Sequence, residues 1–162
     1  MHVELRERTE RHVRIHFEKT RDDEIQKMCP QRAQTLTEAI ADYRRSAEPG
    51  SASFGRTVYA DGEYVGDIWC FAMHEEDDPD AMLSYCLFEK AAWGKGIATE
   101  AVRLFAAEIS VRFSIRRIGA FTYLDNAGSV RVLEKNGFVL REIVEEDGVK
   151  SAYYTLDVEE EV

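Results

Sequence analysis

The residues best suited to chemistry lie in a glycine-rich segment at positions 93–101, which reads Trp-Gly-Lys-Gly-Ile-Ala-Thr-Glu-Ala. This segment follows an apolar run, Met82–Phe88, that predicts a strand, and it opens a stretch that predicts a long helix. The first amides of a helix have no intrahelical partner, and the helix dipole favours an anion there. The spacing of its glycines fits neither a Walker loop nor a dinucleotide fingerprint. A pyrophosphate group is therefore the natural ligand for this turn.

A second segment, at positions 126–138, reads Asn-Ala-Gly-Ser-Val-Arg-Val-Leu-Glu-Lys-Asn-Gly-Phe. It follows the strand-like run Ile118–Tyr123, and Asp125 or Asn126 is a suitable N-cap for a helix. The pair Asn136-Gly137 is a typical helix stop. The sequence thus predicts a short helix beside the glycine turn.

In this order and at this separation, the two segments resemble the GNAT superfamily of acetyl-CoA-dependent N-acetyltransferases, especially its ribosomal-protein N-terminal acetyltransferase branch. The resemblance runs from about Val13 to Val158. It implies an α/β (α+β) fold with a mixed, mostly antiparallel sheet of six to seven strands and helices on both faces. It also implies a V-shaped splay between two central strands, here Ala81–Glu89 and Ile118–Tyr123. The unpaired backbone groups of such a splay would bond the pantetheine arm of acetyl-CoA.

The resemblance also implies which residues bind acetyl-CoA. The amides at 94–98 and the Thr99 hydroxyl would hold the pyrophosphate, and the backbone at 87–88 would pair with pantetheine. Two basic side chains one helical turn apart, at 131 and 135, would meet a phosphate. The full expected set is Leu87, Phe88, Gly94, Lys95, Gly96, Ile97, Ala98, Thr99, Asn126, Ser129, Arg131 and Lys135. Trp93 is interpreted as an apolar anchor for the turn.

The expected catalytic residues follow the family pattern less closely than the cofactor-binding segments do. Many relatives carry a tyrosine acid at the position of Leu133, and leucine cannot donate a proton. Ser129 is therefore the candidate donor to the departing thiolate. Glu89 is the candidate base, with Asp67 and Glu142 as weaker choices. No metal is expected.

The two histidines of the N-terminal region do not change that expectation about metal. His12 and His16 have the spacing of helical metal ligands, but His12–Glu18 reads as a strand. Four residues of a strand would place the two imidazole rings too far apart to share an ion. A metal site there is not expected.

Composition limits the classes of function. The 162 residues suit a single domain, 1–162, and the formal net charge of −10 argues against non-specific nucleic-acid binding. An acidic chain would attract a cationic amine substrate. No apolar run is long enough for a membrane span, the first residues are too charged for a secretory signal, and three cysteines without metal spacing suit the cytoplasm.

The remaining chain predicts an alternating order of elements. Thr20 is expected to cap a helix that ends before Pro30, and Gln34–Arg45 is expected to form another. Two hairpins are expected at Asp61-Gly62 and Asp147-Gly148. The expected strands are 54–60, 64–73, 81–89, 118–123, 138–145 and 149–158, and the long helix is 94–113.

The sequence is compatible with two kinds of acetyl acceptor: a protein N-terminal amine, or a small amine such as a polyamine, aminoglycoside or amino acid. A non-catalytic acetyl-CoA-binding module is a third alternative, because of Leu133. A monomer and a homodimer are both compatible with the sequence, since an exposed strand edge could pair with a second copy.

Overall fold

Seven strands form one sheet in the computed structural model, which describes residues 1–158. The strands are β1 (Val3–Glu7), β2 (Phe54–Ala60), β3 (Glu63–Phe71), β4 (Ala81–Leu87), β5 (Arg117–Tyr123), β6 (Val139–Glu146) and β7 (Val149–Asp157). The helices are α1 (Glu10–Lys19), α2 (Asp23–Met28), α3 (Leu36–Ser46), α4 (Ile97–Phe113) and α5 (Ala127–Lys135), with a 3₁₀ turn at Lys90–Ala92.

The strand order is β1-β2-β3-β4-β5-β7-β6, and only the β4–β5 pair is parallel among the described strands. This order confirms the expected mixed, mostly antiparallel sheet. The seventh strand is β1, which the sequence analysis missed although Val3 and Leu5 alternate with charged residues. β1 pairs with β2 and extends the sheet at its edge.

Helices pack on both faces of the sheet, as expected. On one face, α4 buries Val102, Phe105 and Ile109 against Ile68 and Leu83 in the main core. On the other face, a smaller apolar cluster joins Ile25 of α2 to Cys86 and Phe88. Successive strand residues point to opposite faces, so β4 contributes to both clusters. No helix in the described part of the chain is long and apolar enough to cross a bilayer.

The two predicted hairpins are confirmed. Asp61 and Gly62 have φ values of 49° and 83°, and Asp147 and Gly148 have 52° and 80°. Two successive residues with positive φ are what a type I′ turn requires, and Asp-Gly supplies them at low cost. Register is therefore fixed by the turns between β2 and β3 and between β6 and β7.

The predicted strand at His12–Glu18 is wrong, because this segment lies within helix α1. Val13, Ile15 and Phe17 alternate with polar residues, which suggested a strand. The buried stripe is instead Val13, His16 and Thr20, at helical spacing. Two of these three residues are polar by type, so the helical period was hidden.

Other boundaries move by a few residues. Thr20 does not cap the second helix; it closes α1, where its hydroxyl donates to the His16 carbonyl at 2.8 Å. The cap of α2 is Asp22, whose carboxylate accepts from the amides of Glu24 and Ile25. The strand predicted at 81–89 ends at Leu87, and the long helix begins at Ile97 rather than Gly94.

Candidate active site

A slot opens between the two central strands. β4 and β5 are registered only at Ala81–Ile118 and Met82–Gly119, and beyond these pairs the strands separate. The slot-facing edges of residues 83–87 and 120–123 therefore have no strand partner. Backbone groups in such a position need partners from elsewhere, and an amide-containing ligand can provide them. This is the splay that the sequence analysis expected.

The glycine turn lies at the end of β4 and leads into α4. Gly94 and Gly96 have φ values of 73° and 80°, a conformation that suits glycine. Gly96 is the N-cap of α4, and no atom lies within 4 Å of the point where its β-carbon would be. The indole Nε1 of Trp93 donates to the Leu87 carbonyl at 2.8 Å. Trp93 thus anchors the turn, as interpreted, and the first amides of α4 face open space.

The slot and the glycine turn share one cavity of about 680 Å³. Ten of the twelve residues expected to bind acetyl-CoA line it. They are Leu87, Gly94, Gly96, Ile97, Ala98, Thr99, Asn126, Ser129, Arg131 and Lys135. Residues from β4, α4, β5 and α5 thus converge on one site although they are up to 52 positions apart in the sequence.

Three expected site residues are not part of the cavity lining: Phe88, Glu89 and Lys95. Phe88 is buried on the opposite face of the sheet. Lys95 and Glu89 are exposed, and Glu89 stands at the N-terminal end of the 3₁₀ turn. The structure therefore gives no support for the role of Glu89 as a base at this site.

Helix α5 presents its first turn to the slot. Asn126 is its N-cap, and its side-chain Oδ1 accepts from the Ser129 amide at 3.1 Å. Among the described residues, the Asn126 Nδ2 atom has no hydrogen-bond partner, which leaves a donor for a ligand. Leu133 is buried and packs in the main core. Its side chain completes the apolar wall of the cavity.

A tyrosine that the sequence analysis did not consider also reaches this site. The Tyr85 hydroxyl, from β4, donates to Ser129 Oγ at 3.1 Å. Burial raises the pKa of Tyr85 to about 12, so the phenol stays protonated at neutral pH. The alternation of β4 places Tyr85 on the same face as Leu83 and Leu87. That alternation was visible in the sequence, but the contact across 44 positions was not.

A buried polar cluster lies behind the sheet and involves α1. Asp67 of β3 is fully buried; it contacts His16 Nδ1 and accepts from the Tyr64 hydroxyl at 2.7 Å. Burial alone would raise the pKa of Asp67, but the charges of His16 and Arg8 and these hydrogen bonds bring it below its usual value. Asp67 is thus a paired carboxylate and not a free base.

The hydrogen bonds of Gln31 orient the ring of His16. Gln31 Nε2 donates to the Cys29 carbonyl at 2.8 Å, so its Oε1 faces His16 Nε2 at 3.0 Å and must accept from it. The other ring nitrogen, Nδ1, faces the Asp67 carboxylate. His16 thus joins Gln31 to the buried Asp67. His12 separately bonds the Tyr59 hydroxyl at 2.8 Å.

The described residues contain no group of three or more potential ligands placed to hold a metal ion. His12 and His16 lie on one helix but contact different partners: His12 bonds Tyr59, and His16 contacts Asp67. The three cysteines are free thiols. The chemistry available at the slot is therefore that of backbone amides, hydroxyls and two basic side chains on α5.

The comparisons with known proteins agree with this geometry. The family model for the acetyltransferase (GNAT) domain matches residues 2–139. A probable N-acetyltransferase of Bacillus subtilis (strain 168), YjcK, is 33% identical over 124 residues, which are 74% of this chain and 68% of the relative.

Solved structures show the same fold at lower identity. The aminoglycoside acetyltransferase AAC(6')-Ib in complex with coenzyme A gives a TM-score of 0.80 at 21% identity, covering 96% of this chain and 95% of that chain. RimL, a ribosomal L7/L12 α-N-protein acetyltransferase in complex with coenzyme A, gives 0.78 at 20% identity, covering 96% and 94%. With its glycine turn, splayed strands and family match over most of its length, the chain belongs to the GNAT family of acetyltransferases.

Proposed function

We propose that this protein transfers the acetyl group of acetyl-CoA directly to a primary amine. The observation that carries the proposal is the single cavity in which the unpaired edges of β4 and β5 meet the glycine turn. This arrangement suits a ligand that has amides along its length and a pyrophosphate at one end. The coenzyme A complexes of AAC(6')-Ib and RimL, which share the fold, support the same ligand.

In this proposal the cofactor segments act as the resemblance implies. The amides at 94–98 and the Thr99 hydroxyl hold the pyrophosphate at the start of α4, where the helix dipole favours an anion. The Leu87 backbone and the free Nδ2 of Asn126 bond the pantetheine arm. Arg131 and Lys135 are both exposed on α5 and line the same cavity, so they can meet a phosphate. Lys95 and Phe88 do not line the cavity, so only their backbone groups are proposed to contact the cofactor.

The chemistry requires a neutral attacking amine, a base or water chain that takes the proton released from nitrogen as the amide forms, and a proton for the departing thiolate. Holding both reactants in one site supplies much of the rate acceleration. Backbone donors of the slot stabilise the oxyanion that develops on the thioester carbonyl. The Ser129 hydroxyl donates to the departing sulfur, and Tyr85 in turn donates to Ser129, at the 3.1 Å separation seen in the structure. Ser129 thereby replaces the tyrosine acid that Leu133 cannot supply.

The acceptor is either a protein N-terminal amine or a small amine. RimL acts on a ribosomal protein and AAC(6')-Ib on aminoglycosides, and both share this fold at about 20% identity. A screen of N-terminal peptides, polyamines, aminoglycosides and amino acids, monitored by release of free CoA thiol, tests the proposal. Tight acetyl-CoA binding without turnover on any amine would favour a binding module instead.

We expect Gly96→Val to weaken acetyl-CoA binding more than tenfold, or by more than about 1.4 kcal/mol. Its φ of 80° is unfavourable for a β-branched residue, and the side chain would occupy the space in front of the α4 amides. Titration calorimetry measures the affinity. Gly62→Val is the matched control, because Gly62 has a φ of 83° and open surroundings but lies in the β2–β3 turn, outside the cavity. Unchanged affinity in a folded Gly96→Val variant would refute the pyrophosphate site.

The two roles of Asn126 can be separated by substitution. Asn126→Ala removes both the cap of α5 and the free amide donor, whereas Asn126→Ser keeps a good N-cap residue. We expect both variants to lose roughly 1–3 kcal/mol of acetyl-CoA binding, the cost of a missing buried hydrogen bond. Only the alanine variant should also lose thermal stability. If serine restored full affinity, Asn126 would act only as a helix cap.

A further inference from the structure

A second cavity, of about 610 Å³, adjoins the slot and carries an unexpected charge pattern. It lies between α1, α3 and the outer end of β3. Four residues line both cavities: Pro30, Gln31, Trp69 and Ser84. Because Ser84 belongs to β4, the second cavity opens onto the slot beside the strand that would hold the thioester. An acceptor lying there can present its amine to the slot.

The charged lining of the second cavity is mostly basic. The lining contains three arginines, Arg8, Arg32 and Arg45, and one carboxylate, Asp42. This balance is the reverse of the whole chain, whose net charge is −10. Arg32 and Arg45 both pair with Asp42, so their charge is partly compensated. The cavity therefore does not favour a polycation, in contrast with the expectation drawn from net charge alone.

Arg8 is the residue in this cavity that lacks a strong partner. Its side chain is 22% exposed, and its Nε atom is buried without a hydrogen-bond partner among the described residues. The nearest carboxylate oxygen, Asp67 Oδ1, is 4.0 Å away, beyond hydrogen-bond distance. Asp67 is already engaged by His16 and Tyr64. The Arg8 guanidinium thus has donors available to an anionic group in the cavity.

Resting on the proposed function, we propose that the acceptor is an amine that also carries a carboxylate, and that Arg8 binds this carboxylate in the second cavity. A guanidinium suits a carboxylate because its donors match the two oxygens. Aromatic residues of the lining, among them Phe17, Phe54 and Trp69, would contact an apolar body between the two charged groups. Amino acids and short peptides have this chemistry, whereas aminoglycosides and polyamines do not.

The experiment compares matched acceptors on the wild-type enzyme with saturating acetyl-CoA. L-Phenylalanine is compared with its amide, which lacks the carboxylate, and with 1-amino-2-phenylethylphosphonic acid, which replaces the carboxylate by a phosphonate; kanamycin is the polycation. We expect kcat/KM for the carboxylate acceptor to exceed that for its amide at least tenfold. The amide has the more readily deprotonated amine, so intrinsic reactivity would give the opposite order. Equal kcat/KM values for the acid and the amide, or a preference for kanamycin, would overturn the proposal. A preference for the phosphonate over the acid would also overturn it, because the group bound in the cavity would then be phosphate-like and not a carboxylate.

Arg8 is then tested by substitution. Arg8→Gln should raise KM for the carboxylate acceptor at least tenfold and leave the amide within twofold, while Arg8→Lys should retain part of the preference. Arg11→Gln is the control, since Arg11 is exposed on α1 and lines neither cavity. If Arg8→Gln fails to fold, the ratio of kcat/KM for phenylalanine to that for its amide on the wild-type enzyme still tests whether the acceptor carries a carboxylate. Absence of CoA release with every amine would refute the proposed function, whereas release without preference would refute this inference alone.

Discussion

Ser129→Ala is expected to lower kcat about 10²-fold or more while acetyl-CoA affinity changes by only a few-fold. The Ser129 hydroxyl is the group at the start of α5 that can donate to the departing sulfur, and a lost proton transfer typically costs this factor. Tyr85→Phe should lower kcat less, because it removes the donor to Ser129 but leaves the serine in place. Steady-state kinetics with the amine found by screening measures kcat, and calorimetry measures affinity.

A control separates chemistry from folding in this experiment. Ser110→Ala removes a hydroxyl from α4 at a position that lines neither cavity, and it should leave kcat unchanged. A thiol has a pKa of about 8.5, so the thiolate is a tolerable leaving group near neutral pH even without an acid. Turnover should therefore persist in Ser129→Ala at a reduced rate. A loss below about tenfold would mean that Ser129 is only a helix first-turn residue and that water protonates the thiolate.

The parts of the fold that could be predicted are those with a local signal. The Asp-Gly hairpins, the helix stop at Asn136-Gly137 and the glycine turn each need positive φ values, which few residue types adopt readily. The residue types at these positions are therefore enough to predict them. The strand β4 follows from the apolar run Met82–Phe88. Ten of the twelve expected cofactor residues line one cavity, and nine of these ten lie within the segments 93–101 and 126–138.

The parts that could not be predicted depend on contacts between distant segments. α1 was mistaken for a strand because its buried stripe includes His16 and Thr20, which are buried only through Asp67 and backbone partners. The Tyr85–Ser129 bond and the Arg8 cavity join residues that no periodicity relates. Glu89 is predicted as a base from its position next to the strand in the sequence; it does not line the cavity, and its role stays a prediction.

Asp67→Ala is expected to cost about 3–5 kcal/mol of unfolding free energy. Asp67 is fully buried, and its removal leaves the His16 ring and the Arg8 guanidinium without the carboxylate that both face. Urea denaturation measures the loss. Glu100→Ala is the control, because it breaks an exposed pair with Arg103 and should cost under about 1 kcal/mol. A loss of that small size at Asp67 would contradict the buried ion pair.

The pH dependence of stability and a double variant test whether the contribution of Asp67 to the free energy of unfolding comes from its charge and its contact with His16. The folded pKa of Asp67 lies below its usual value, so its contribution is complete above the unfolded pKa of about 3.9 and is lost as pH falls through the folded pKa. The wild type should therefore lose more stability than Asp67→Asn when the pH falls from 5 to 3. Combining His16→Gln with Asp67→Asn should cost less than the sum of the two single changes, because each single change leaves the other side chain without its contact and the double variant loses that contact only once. Additive costs would instead mean that the two side chains stabilise the fold independently, through packing.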